Sequence, residues 1–133
     1  MVASFPLVSG CGGGRVETVP VRGRVTFDGR ACPAAGTVAF LPLEPAEGYP
    51  MRPATGKFDT DGYFSVTSYR SGDGLVPGRY RVRILCWKEP PEEEGAGGVN
   101  YVPDGYQAEE LVIEPGADGP VEVAYDVPAI ADP

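Results

Sequence analysis

The stretch Val21-Arg22-Gly23-Arg24-Val25-Thr26-Phe27-Asp28-Gly29 decides the fold. Val21, Gly23, Val25 and Phe27 alternate with Arg22, Arg24 and Thr26. A period of two sends successive side chains to opposite faces of an extended strand, here one apolar and one wet. Asp28-Gly29 then turns the chain, because both residues accept the backbone angles of a tight turn. The pattern recurs. Thr37 to Leu41 reads as a second strand, apolar on both sides and therefore central. Phe64, Val66 and Ser68 alternate with Ser65 and Thr67, and Tyr80, Val82, Ile84 and Cys86 with Arg81 and Arg83. Leu111 and Ile113 lie in a short strand closed by Pro115-Gly116, and Val121, Val123, Tyr125 and Val127 alternate with Glu122, Ala124 and Asp126.

No segment sustains an i, i+3, i+4 apolar pattern with caps, so no helix of consequence is expected. Short strands at close spacing predict an all-β fold, a two-sheet antiparallel Greek-key sandwich of about seven strands. Its core is predicted to be Val25, Phe27, Val38, Phe40, Phe64, Val66, Tyr80, Val82, Ile84, Val121, Val123 and Tyr125. Arg22 and Arg24 then face outward, as do Glu122 and Asp126. If the first and last strands are neighbours in one sheet, these charges pair across it.

A length of 133 residues allows one domain with tails. The expected division is residues 1–19 as a partial signal, lipobox and tether, 20–128 as the sandwich, and 129–133 as a tail. The 19 glycines and 15 prolines group between apolar runs, as turn residues do. Two connections are long: Leu43 to Met51, and the acidic, glycine-rich run from Glu89 to Gly98, which reads as a disordered loop. With 11 basic and 19 acidic residues the net charge is −8. That field opposes a polyanion held by counterion release, so nucleic acid is not an expected partner. The absence of histidine removes the commonest general base and nitrogen ligand. Three cysteines without a Cys-x-x-Cys pair offer no zinc framework. No catalytic residue, metal site or cofactor is expected.

Val8-Ser9-Gly10-Cys11 resembles a bacterial lipobox, in which cleavage precedes the cysteine and its sulfur takes a diacylglycerol. Gly12-Gly13-Gly14 after it suits a flexible tether. Met1 to Leu7 lacks a basic n-region and is short for an apolar h-region, so export through Cys11 requires a start further upstream. The expectation is a lipid anchor at Cys11, cell-envelope location, and membrane contact through that lipid alone; if Met1 is the genuine start, the alternative is an incidental Cys11 in a secreted or cytoplasmic protein.

Residues 19–127 also resemble the carboxypeptidase regulatory-like domain of small bacterial lipoproteins, a transthyretin-like sandwich. The matching pieces are Val19 to Gly29, Gly36 to Pro42, Thr55 to Phe64 with Asp61-Gly62 in the turn, Gly72 to Val82, and Pro103 to Leu111 with Tyr106 inside it. The resemblance implies a transthyretin/immunoglobulin-like fold and a non-catalytic accessory role: a structural or protein-interaction module, or alternatively a carbohydrate-binding accessory domain. The related hydroxyisourate hydrolases depend on histidines and a C-terminal Tyr-Arg-Gly-Ser, both lacking here. Lys57 and Lys88 fall at expected turns or strand ends, the wrong place for an internal isopeptide.

Asp59-Thr60-Asp61-Gly62 reads as a hairpin turn rather than half a calcium loop, since the other oxygen ligands and closing Glu are missing. Asp73 and Asp104 beside glycines read the same way. The resemblance places Cys32 and Cys86 at inward apolar positions, which favours two buried thiols, with a disulfide as the alternative in an oxidising compartment. Tyr49, Tyr63, Tyr69, Trp87, Tyr101 and Tyr106 lie outside the inward positions. Rings with a polar tip are often partly buried, so the favoured reading is rim packing over sheet edges and loops; if the set forms a contact surface for an unidentified protein or glycan, it is the opening from Trp87 through Tyr101 to Tyr106.

Overall fold

A computed structural model describes residues 16–89 and 98–130. Among them the chain forms nine strands and no helix: Val21–Phe27 (β1), Gly36–Pro45 (β2), Ala54–Phe58 (β3), Tyr63–Thr67 (β4), Gly78–Leu85 (β5), Trp87–Glu89 (β6), Val99–Asn100 (β7), Leu111–Ile113 (β8) and Val121–Val127 (β9). Seven of these make one curled sheet in the order β8-β5-β2-β3-β4-β1-β9, and β6 and β7 form a separate ribbon. The lipobox, most of the acidic loop and the last three residues lie outside the described residues.

The sheet curls around β4. Its first half, Tyr63 to Ser65, pairs with β1, and Val66 and Thr67 pair with β3. A strand that changes neighbour along its length bends the layer it belongs to. Gly56 of β3 allows this approach, because a Cβ there would lie 2.8 Å from the Phe64 ring. Phe64 in turn packs 6.4 Å from Phe40 across the interior.

Expected core residues are buried with two exceptions. Val121 and Val123 are half-buried, because β9 is an edge strand with a neighbour on one side only. The periodic reading missed Val19, Leu75 and Val76, which are nearly inaccessible. Val19 exchanges backbone hydrogen bonds of 2.9 Å with Leu75, seating both outside any regular strand. The Tyr80 hydroxyl donates to the Val76 carbonyl. That satisfies a polar group whose desolvation pushes its pKa up to about 12.

Three local expectations change. The β1–β9 pairing is parallel, from Val21↔Val121 to Phe27↔Val127, so the sheet is mixed rather than wholly antiparallel. The second strand runs to Pro45, beyond Leu41, through an irregularity between Pro42 and Glu44 where the ladder with β5 shifts. Such a shift accommodates prolines that donate no ladder bond. β2 is central as expected, yet its outward side is not buried: Leu41 is exposed and Ala39 half-buried.

Candidate functional site

Sheet geometry brings Arg22, Arg24, Lys57 and Tyr63 to one outward face. In β1, Arg22 stands opposite Ser65 of β4 and Glu122 of β9, and Arg24 opposite Tyr63 and Ala124. Between these two rows of outward side chains runs the row Phe64, Gly23 and Val123, whose own side chains, where present, turn inward. The result is a groove of about 600 Å³ lined by Arg22, Gly23, Arg24, Lys57, Tyr63, Ser65, Glu122 and Val123. Three cations face one carboxylate there, on a chain whose net charge is −8.

Each wall is held in place. Arg22 donates through Nε and Nη2 to the Glu122 carboxylate, at 3.2 and 2.8 Å. Both side chains are mostly exposed, so the pair contributes about 0.2–1 kcal/mol. Its main effect is to fix the guanidinium plane. Arg24 donates through Nε to the Asp61 carbonyl at 3.0 Å, and its guanidinium carbon sits 4.8 Å from the centre of the Tyr63 ring. The Asp61 carboxylate accepts from the Tyr63 N–H at 3.2 Å, and the Gly62 N–H donates to the Asp59 carbonyl at 2.8 Å. Thus the Asp59–Gly62 turn, with Gly62 at a φ of 86°, positions both Arg24 and Tyr63. Among the described residues nothing binds the Lys57 ammonium or the two terminal nitrogens of Arg24. Those donors are available to a ligand.

The charge pairing anticipated between the chain's ends is found for Arg22 with Glu122. Asp126 instead accepts from the Thr26 hydroxyl and the Gly29 N–H, each at 2.7 Å, which holds its carboxyl below the usual range. Arg24 faces Ala124 and takes no part in that cluster.

The expected aromatic surface is arranged differently from the groove. Trp87 is half-buried at the start of β6, opposite Asn100. Tyr101 and Tyr106 are half-buried and pack against the core. Burial raises the Tyr106 hydroxyl, with Asp126 adding to the effect, and burial pushes Tyr125 up to about 12, with Tyr106 and Glu109 nearby. Residues 101–110 therefore close the core beside β9. Tyr106 also lines a smaller cavity of about 230 Å³ with Arg81, Arg83 and Gln107. Among the described residues the two most exposed aromatics are Tyr63 and Tyr69, and an arginine lies over each ring: Arg24 over Tyr63, and Arg52 at 4.5 Å over Tyr69.

Cys32 and Cys86 are both buried and free. The Cys32 thiol donates to the Val25 carbonyl at 3.2 Å and the Cys86 thiol to the Ala34 carbonyl at 3.4 Å. Burial, with Cys86 as the next contributor, pushes Cys32 up to about 11, and burial raises Cys86. Among the described residues no group of three or more potential ligands gathers for a metal. Asp73 closes the loop after β4 instead, accepting from the N–H groups of Ser68, Tyr69 and Arg70 at 2.8, 3.1 and 3.0 Å.

No protein-family model, curated protein or solved structure matches the chain.

Proposed function

We propose that this chain is a non-catalytic interaction module held at a bacterial cell envelope, and that the cationic groove across β3, β4, β1 and β9 is its binding face. The observation that carries the reading is the set of unengaged donors on Lys57 and Arg24, held on a rigid sheet face rather than a loop. A protein of net charge −8 that gathers three cations around one groove has a local field opposite to its global one. At physiological salt the screening length is about 8 Å, so a docked group responds to the local field first. The positions of Tyr101 and Tyr106, half-buried against the core, favour a closing role for those two rings over an open aromatic platform.

Envelope location rests on Val8-Ser9-Gly10-Cys11 and the glycines after it. The likeness to a carboxypeptidase regulatory-like domain rests on the ordered motifs from Val19 to Leu111. The finer, transthyretin-like reading splits the curled sheet at β4 into two facing layers, β8-β5-β2-β3 and β4-β1-β9. The change of partner along β4 supports that division.

The test is co-sedimentation with isolated envelopes. A Cys11→Ser form without lipid should pellet with them through the groove, and Lys57→Glu should release it while melting like the parent. A parent that stays in the supernatant, or a Lys57→Glu form that pellets equally, contradicts the reading.

A further inference from the structure

We propose that the groove binds an acidic sugar unit of a glycan chain: Lys57 and Arg24 take its carboxylate or sulfate, and the open face of Tyr63 takes its ring. This rests on the groove being the binding face and adds the class of ligand. Three observations converge on it.

The first is the donor set. The Lys57 ammonium and the two terminal nitrogens of Arg24 have no partner among the described residues, and Nη1 of Arg22 is also outside its bonds to Glu122. Charge-assisted hydrogen bonds to an anionic oxygen are about twice as strong as neutral ones. The second is the ring. Tyr63 is 61% exposed although Arg24 lies over it, so its exposure belongs to the opposite face and edge. A sugar presents C–H groups to such a face, while the Glu122 carboxylate and the Ser65 hydroxyl border the groove as partners for its hydroxyls.

The third observation separates a glycan from an acidic peptide. An extended peptide gains affinity by adding to a free strand edge. The floor of the groove is β1, which is hydrogen-bonded on both sides, to β4 over Arg22 to Arg24 and to β9 along its length; the free edge of β9 faces away from it. β1 has no free main-chain ladder, and the amides of a peptide laid across it would lack partners. A glycan has no such requirement.

The experiment is calorimetric titration of the full chain with four probes: tetragalacturonate, a chondroitin sulfate tetrasaccharide, neutral cellotetraose and hexaglutamate. At least one acidic tetrasaccharide should bind, and the better of the two identifies the anion. Cellotetraose should bind at least about tenfold more weakly, the loss expected when charge-assisted bonds go unmade. Lys57→Gln should weaken the acidic sugar by about the same factor, and Lys57→Arg should retain most of its affinity. Tyr63→Ala should weaken it as well. Lys57 is exposed in β3, so these lysine variants should melt with the parent. Equal binding of acidic and neutral sugars, tighter binding of hexaglutamate, or no binding of either acidic sugar overturns the proposal. If the titrations fail while Lys57-dependent pelleting with envelopes persists, the ligand class alone falls. If both fail, the groove is not the binding face.

Discussion

Replacing Gly23 by alanine sets two well-understood effects against each other. Gly23 lies mid-strand in β1, and its φ lies outside the left-handed region, so alanine meets no backbone strain there. At an unstrained position, Gly→Ala stabilises by about 0.4–1 kcal/mol, because the unfolded chain loses freedom. The added Cβ, however, would stand 2.5 Å from the Val123 carbonyl oxygen, 2.6 Å from Val123 Cγ2 and 2.8 Å from Phe64 Cζ. Overpacking of this kind costs about 1–3 kcal/mol. Two of the three contacts belong to β9, so the strain falls on the parallel β1–β9 pairing. The steric term should win, with a net loss of about 1–2 kcal/mol in urea denaturation. Val123→Ala removes the Cγ2 contact but leaves the carbonyl one. The double variant should therefore show coupling above about 0.5 kcal/mol yet incomplete recovery. Gly23→Ala as stable as the parent, or more so, would refute the close approach of β9 and Phe64 to β1.

Three further outcomes are expected. In a double-mutant cycle on Arg22 and Glu122, the coupling should be about 0.2–1 kcal/mol and fall as salt is raised, since both side chains are mostly exposed; zero coupling at low salt contradicts the pair. The Asp73 carboxyl lies below its ordinary value: burial works to raise it, but the N–H groups of Ser68, Arg70 and Tyr69 outweigh that. Asp126 is lowered likewise by Thr26 and Gly29, so the stability both supply is complete above about pH 4 and is lost as pH falls through their folded values; Asp73→Asn should flatten that acid limb, and an unchanged limb contradicts the assignment. In a Cys11→Ser chain, Cys32 and Cys86 should resist a thiol reagent until denatured, because burial covers both sulfurs and raises both thiols, Cys32 to about 11; fast native labelling of both would show the site is open.

How far the fold can be read from the sequence differs strand by strand. The segments now seen as β1, β5 and β9 alternate between mostly apolar inward and mostly charged outward residues, interrupted by Gly23, Thr26 and Ala124, so their faces follow from local pattern. β3 is nearly silent, because Gly56 has no side chain and Ala54 a small one, leaving Phe58 as the one bulky inward residue. The direction of the β1–β9 pairing depends on contacts between segments a hundred residues apart, and no local rule supplies it. The charges did carry information: Arg22 and Glu122 face outward at matching positions, which is why their pairing was foreseeable. The groove was less visible. Arg24, Lys57 and Tyr63 come from three strands, and only the sheet order makes them neighbours. Trp87, Tyr101 and Tyr106 show the converse difficulty, since a ring with a polar tip suits a partly covered site as well as an open platform.

The chain has two lysines, Lys57 in the groove and Lys88 in β6, both exposed, and this permits a direct measurement. An amine-acylating reagent is applied to the purified protein and to intact envelopes carrying it, and the ratio of Lys57 to Lys88 modification is read by mass spectrometry. If the groove is the binding face, Lys57 is protected relative to Lys88 in envelopes, and the protection disappears when Arg24→Gln weakens the site. The same ratio in both preparations would contradict the account.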